Sequence, residues 1–265
     1  MPDEAASVYA GAHAVLSFEC HSPIIATANG TPAPIRHVSY LNINSDIAYM
    51  FDKALDTWRN KFISWLEINW LQKDGAHDMD HLHRVWRNCR KLNAGEGDKA
   101  DLLILLTAAY FHDLVTLPKN HPDRSGASLQ SADKITELLP GLFDFPPEKI
   151  EGVHHAIHAH SFSANINTQT IEAKILQDAD RIEALGATGV ARLFYIAGKM
   201  DTSLYHSDDP LGKNRELDDK KYALDHIELK LLTLPDTMKT TSGKELAKKE
   251  AAYIVSFRQK LLEEI

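Results

Sequence analysis

The chain is 265 residues long, with 44% hydrophobic residues and a formal net charge of -8. That length can bury a full core in one large domain or two small ones, and the composition is that of a globular protein, which excludes a fibre. The acidic balance offers no general attraction for duplex nucleic acid or an anionic membrane surface, so any phosphate ligand has to be held by a few local cations.

No apolar segment approaches the roughly 20 residues of a membrane span, and the first residues carry Asp3 and Glu4 in place of a basic signal region. Cys20 and Cys89 are too few for a disulfide framework or a zinc ribbon. The expectation is a soluble cytoplasmic protein, with self-association left open.

Residues 1–44 differ from the rest, because Pro23, Pro32, Pro34, Asn29 and Gly30 interrupt every periodic pattern. They read as a poorly ordered leader preceding one domain over 45–265. From Asp46 a helical period sets in, with Phe51, Leu55, Trp58, Phe62 and Trp65 on one face until Asp74-Gly75 stops it. Further helices are expected at 78–93, 98–115, 127–139, 147–160, 171–185, 188–199, 219–234 and 243–263, and no strand series is present. Asp98 and Thr170 are expected N-caps, Pro140-Gly141 an expected stop, and Ser242 with Glu245 an expected capping box. Residues 201–219 read as a long polar loop. The fold class that follows is all-α, a helical bundle of roughly eight or more helices.

Within this bundle the run Leu102 to Phe111 is almost wholly apolar and ends on His112-Asp113. Burying such a pair costs several kcal/mol unless a partner compensates it. A metal ion is the partner that suits both groups. On the helix near residue 80, His77, His81, Arg84 and Asn88 form a stripe bordering the buried face, whereas His83 points elsewhere. A solvated edge is the bland alternative for His81 taken alone. In the helix from Ile171, Asp178 falls beside Ile171, Ile175 and Ile182, while Asp180 falls among Ala173, Leu176 and Ala184. Both are partly buried, and the small neighbours of Asp180 make it the better candidate to meet His112-Asp113. His81, His112, Asp113 and Asp180 would together offer two imidazoles and two carboxylates, a mixed set that suits manganese, iron, cobalt, nickel or zinc.

These residues resemble a known family. His81-Leu82-His83-Arg84-Val85, then His112-Asp113, then Asp178-Ala179-Asp180-Arg181 is similar to the signature of HD-domain metal-dependent phosphohydrolases, and His77-Asp78-x-x-His81, Ala156-Ile157-x-x-His160 and Asp178 to Ala187 resemble its small bacterial members of the YedJ and YpgQ type. The resemblance spans about residues 46–265 and implies a helical HD-domain bundle. It carries the ligand role onto His81, His112, Asp113 and Asp180, which decides between the two aspartates. One divalent ion is implied, with manganese favoured and magnesium also admitted. Family members with two ions place extra histidines where His154, His155, His158 and His160 lie, but the nearer pattern keeps only His155 and His160, here read as substrate contacts in the pocket wall.

Phosphate would be met by Arg84, Lys119, His121 and Arg124, with Asp113, Arg84 and Lys119 as the catalytic set and His77, Asp178 and Glu183 orienting the ligands. The implied activity is hydrolysis of a phosphoester or phosphoanhydride in a nucleotide or related small metabolite by metal-activated water. A metal-containing ligand-sensing or partner-binding module without catalysis is the rival reading. Gly186-x-x-Gly189 follows no strand, so it makes no dinucleotide cradle.

Overall fold

The computed structural model describes residues 43–70, 75, 78–117, 121–161 and 164–265. It divides into two compact units, Met1–Thr57 and Trp58–Ile265. In the first, the described part is the opening half of helix α1 (Ile43–Asn69). All but the last two residues of the expected leader lie outside the described residues.

The second unit contains the rest of α1, followed by α2 (Met79–Gly95), α3 (Leu102–Phe111), α4 (Ala127–Phe143), α5 (Ile150–His160), α6 (Ile171–Ile182), α7 (Gly186–Lys199), α8 (Asp225–Leu229), α9 (Leu234–Thr237) and α10 (Thr241–Leu262). Among the described residues there is no strand, only an isolated bridge between Ser203 and Tyr222. The all-α expectation therefore holds.

Helix α3 is the axis of this unit. Eight of its ten residues are buried, and it packs against α2, α4, α5 and α6. Being apolar all round, it has no solvent face to present, so neighbours must surround it. Phe62 and Trp65 of α1 meet Phe111 of α3 edge to face at 5.1 and 5.8 Å. A fully buried aromatic of this kind contributes about 1.5–3 kcal/mol from area alone.

Several boundaries depart from the sequence expectation. Asp101, not Asp98, caps α3, accepting from the N–H groups of Leu103 and Ile104 and pairing with Lys149. Asp98 is taken up by the turn that closes α2, at φ 53°. Helix α4 runs through Pro140 to Phe143, because Phe143 is buried against Phe62 and Phe111 and this packing outweighs the proline's missing donor. Thr170 does cap α6, accepting from Ala173 N–H. At α10 the cap is Thr240, which accepts from Gly243 N–H, while Ser242 donates to Glu96, the residue that follows α2, instead of forming a capping box. The helix expected at 219–234 is broken into α8 and a 3-10 turn over Leu231–Thr233. No described helix is long and apolar enough to cross a membrane.

Candidate metal centre

The centre forms where α3 ends. Because α3 is enclosed along its length, the turn after Phe111 delivers His112 and Asp113 together at one end of it. His112 Nδ1 lies 3.0 Å from the carbonyl of Ala109, to which it donates, leaving Nε2 as the lone pair that faces outward. His81 arrives from the first turn of α2, positioned by Asp78, whose carboxylate accepts from His81 N–H.

His81 Nε2 and His112 Nε2 are 3.3 Å apart, and both rings are fully buried. Asp113 Oδ2 is 3.5 Å from His112 Nε2 and 4.0 Å from His81 Nε2. Asp180 Oδ1 lies 3.6 Å from His81 Nε2 and 3.8 Å from His112 Nε2, next to the set formed by His81, His112 and Asp113. The aspartates are 21% and 29% exposed, so solvent reaches the carboxylate side of the cluster only.

The donor set fits a divalent cation. Nitrogen and oxygen ligands about 2.0–2.2 Å from one ion stand roughly 3.0–3.6 Å from each other, close to the separations observed. Two inward-facing imidazole lone pairs would otherwise repel in a buried space. His81, His112 and Asp113 offer ligand atoms all within 4.8 Å of one another.

Electrostatics follow the same geometry. Burial drives His112 down to about 4, with His160 and His81 adding to the effect. Burial also pushes the Asp113 carboxyl up, but His112, His160 and His81 outweigh it and hold Asp113 well below the usual carboxylate range. Asp180 is lowered in the same way: burial opposes, and His112 and His81 prevail. His160 Nε2 lies 3.7 Å from Asp113 Oδ1; burial would lower this imidazole, yet the Asp113 carboxylate holds it above the ordinary histidine value.

A second layer holds His81. Glu183 Oε2 is 3.6 Å from His81 Nδ1 and accepts from Arg84 Nε at 2.6 Å, while Asn88 Nδ2 donates to its other oxygen. Arg192 Nη1 approaches His81 Nδ1 to 3.5 Å from α7.

Other expected site residues make contacts outside the His81, His112 and Asp113 cluster. The Asp178 carboxylate accepts from Lys239 N–H, Thr240 N–H and Thr240 Oγ, anchoring the start of α10 rather than orienting a ligand. His155 Nε2 accepts from Gln169 N–H. His121 Nδ1 accepts from Asp123 N–H within its own turn, and Arg124 Nη1 donates to the Leu117 carbonyl. His77 and Lys119 lie outside the described residues. Sequence reasoning missed Arg192. The small residues that open α7 could have hinted at a close approach there, but not at which helix it meets.

This arrangement defines the class: the HD domain family model matches residues 79–185, a span that contains the four converging side chains, and the chain belongs to that family. It is 32% identical over 206 residues to the protein YpgQ of Bacillus subtilis strain 168, covering 76% of this chain and 91% of that one. Among solved structures, Bacillus subtilis YpgQ in complex with ADP superposes with a TM-score of 0.60 at 29% identity, over 80% of this chain and 96% of its own. An HD-superfamily hydrolase from Bacillus thuringiensis gives 0.59 at 27% identity, over 79% and 97%.

Proposed function

We propose that this protein hydrolyses a phosphoester or phosphoanhydride bond of a nucleotide or related small metabolite in the cytoplasm. A single divalent ion, manganese favoured, would be held by His81, His112, Asp113 and Asp180. The observation that carries the reading is the approach of two buried imidazole Nε2 atoms and the Asp113 carboxylate to within 4.8 Å of one another, with Asp180 Oδ1 3.6 Å from His81 Nε2. The ADP complex of Bacillus subtilis YpgQ supports a nucleotide as the ligand class.

When bound, the cation supplies Lewis acidity, making water a stronger acid and offsetting charge on the phosphoryl oxygens. Asp113 serves on two sides: Oδ2 faces the imidazoles of the centre, while Oδ1 faces His160 Nε2 at 3.7 Å. Asp113 would take the proton from the attacking water and release it to solvent through its exposed side, while His160, whose pKa that carboxylate raises, fixes Oδ1. Glu183 fixes the orientation of both His81 and Arg84, and the partly exposed Arg84 guanidinium would meet a phosphate oxygen of the substrate. Lys119 belongs to the same proposal as a phosphate contact.

The test is metal analysis of the purified protein, followed by a turnover panel of nucleoside mono-, di- and triphosphates and a generic phosphoester with added manganese. Release of phosphate or pyrophosphate, lost in Asp113→Asn, is expected. Metal and ligand binding without turnover anywhere in the panel would instead favour the non-catalytic module.

A further inference from the structure

Helix α5 ends at His160, and the chain leaves it at Ser161 in an extended conformation, so no further helical turn holds His160 from beyond. The last residues of a helix fray unless something fixes them. This ring nevertheless supplies the partner of Asp113 Oδ1, which lies 3.7 Å from His160 Nε2, and it stands edge to face with the His112 imidazole at 4.9 Å. Whatever holds the end of α5 therefore bears on the metal centre.

The three carbonyls before His160 are all taken. The Ile157 carbonyl accepts from His160 Nδ1 at 2.6 Å, that of His158 from Ser128 Oγ of α4, and that of Ala159 from Gln177 Nε2 of α6 at 2.7 Å. The third bond acts most directly on the ring. The Ala159 carbonyl and the His160 N–H share one rigid peptide plane, so Gln177 sets the direction in which His160 leaves the backbone. Gln177 also precedes Asp180 by three residues on α6, which places the two on one face of that helix. A single helix thus brings Asp180 beside the cluster and steadies Asp113 by way of His160.

Packing alone does not account for a glutamine at this position. Gln177 is 2% exposed, and its Oε1 is buried with no donor among the described residues. An orphaned buried acceptor costs about as much as a satisfied amide bond contributes. Methionine, unbranched and adaptable, would fill the same space without that liability. The amide is explained by what its N–H holds.

We propose that Gln177 is a positioning residue for the metal centre. By fixing the peptide between Ala159 and His160 it keeps His160 Nε2 on Asp113 Oδ1, and so keeps Oδ2 turned to His81 and His112. The assignment rests on the metal-centre reading above and not on turnover.

Manganese affinity is measured by competition with a chelating dye for the wild type, Gln177→Met, Gln177→Leu, His160→Phe and the double variant Gln177→Met with His160→Phe. The visible spectrum of the cobalt-substituted form and the melting temperature of the metal-free form are recorded for each. Both Gln177 variants are expected to melt cooperatively close to the wild type, to bind manganese about tenfold more weakly and to shift the cobalt bands. In the His160→Phe background, Gln177→Met is expected to change affinity by less than about twofold, because its route to the ion is already cut. Wild-type affinity and an unchanged cobalt spectrum in the two single Gln177 variants overturn the proposal. So does an undiminished effect of Gln177→Met in the His160→Phe background, or loss of cooperative melting in both single variants, since the fold itself would then need the amide. Absence of manganese binding to the wild type defeats the proposal together with the centre. The expected pattern without turnover of any nucleotide leaves the role of Gln177 standing and defeats the hydrolase reading alone.

Discussion

His81 Nε2 and His112 Nε2 face each other at 3.3 Å inside the protein, although the two residues are 31 positions apart in the chain. Each ring has its other nitrogen engaged, by Glu183 and by the Ala109 carbonyl respectively, so both lone pairs are committed to the same point. Removing the ion is therefore expected to destabilise the fold. A ligand at about 100 times its Kd contributes roughly 2.7 kcal/mol. Calorimetric unfolding before and after chelation, with metal content measured in parallel, checks this; an unchanged Tm after complete stripping counts against the centre.

The metal-free protein should also show a distinctive pH dependence. His112 titrates near 4 in the fold and about 6.5 when unfolded. Its neutral ring contributes stability present above about 6.5 and lost as pH falls through about 4, on the order of 3 kcal/mol by linkage. His160 acts in the opposite sense. Its raised pKa gives stability present below the unfolded value and lost as pH rises through the folded one. Histidine NMR titration of the stripped protein should find His160 still charged when His112 is neutral.

Glu183→Gln keeps the shape but removes the charge that orients His81 and Arg84. Loss of such an outer partner typically costs about 10- to 100-fold in metal affinity. Competition with a chelating dye measures it, and an affinity equal to wild type would show that Glu183 acts only on Arg84.

Asp113→Ala and Arg84→Ala should fail differently. The first removes a ligand and lowers both metal occupancy and turnover. The second should retain the ion and lose a charge-assisted contact of about 1.5–3 kcal/mol, roughly ten- to 150-fold in kcat/KM. Metal stoichiometry beside steady-state kinetics separates them, and unchanged kinetics in Arg84→Ala would remove it from the site.

Two glycines should respond oppositely to alanine. A Cβ on Gly243 would stand 2.4 Å from Asp178 Oδ2 and 2.6 Å from Thr240 Oγ, within the hydrogen-bonded turn that starts α10. Overpacking there is expected to cost about 1–3 kcal/mol. Gly141 has nothing within 4 Å of its Cβ position and lies in α4, so Gly141→Ala should stabilise by up to about 1 kcal/mol. Urea unfolding of both variants decides.

Cys89 is enclosed, and burial, with Asp180 and Asp178 beside it, raises its thiol pKa far above the usual value. It should resist iodoacetamide at neutral pH in the native protein and react once the chain is unfolded. Site-resolved mass spectrometry reads the outcome, and rapid native labelling of Cys89 would show that the core around α2 opens.

The sequence by itself determined the helical class and the elements around the site, because amphipathic period, apolar runs and caps such as Thr170 are local properties. The apolar run before His112-Asp113 carried enough information to bring those two residues to a buried end. The small neighbours of Asp180 pointed to it as the aspartate that another helix could approach, and its carboxylate does lie within 4 Å of both imidazoles. What packing decided was different in kind. Phe143 draws α4 through a proline that locally reads as a stop, and the turn closing α2 captures Asp98, leaving Asp101 to cap α3. Glu183 meeting Arg84 across 99 positions, Arg192 reaching His81 across 111, and Asp178 turning to Thr240 across 62 leave no periodic trace in the chain. Such contacts depend on which helix faces which, and that is set by the summed burial of all the helices rather than by any one segment.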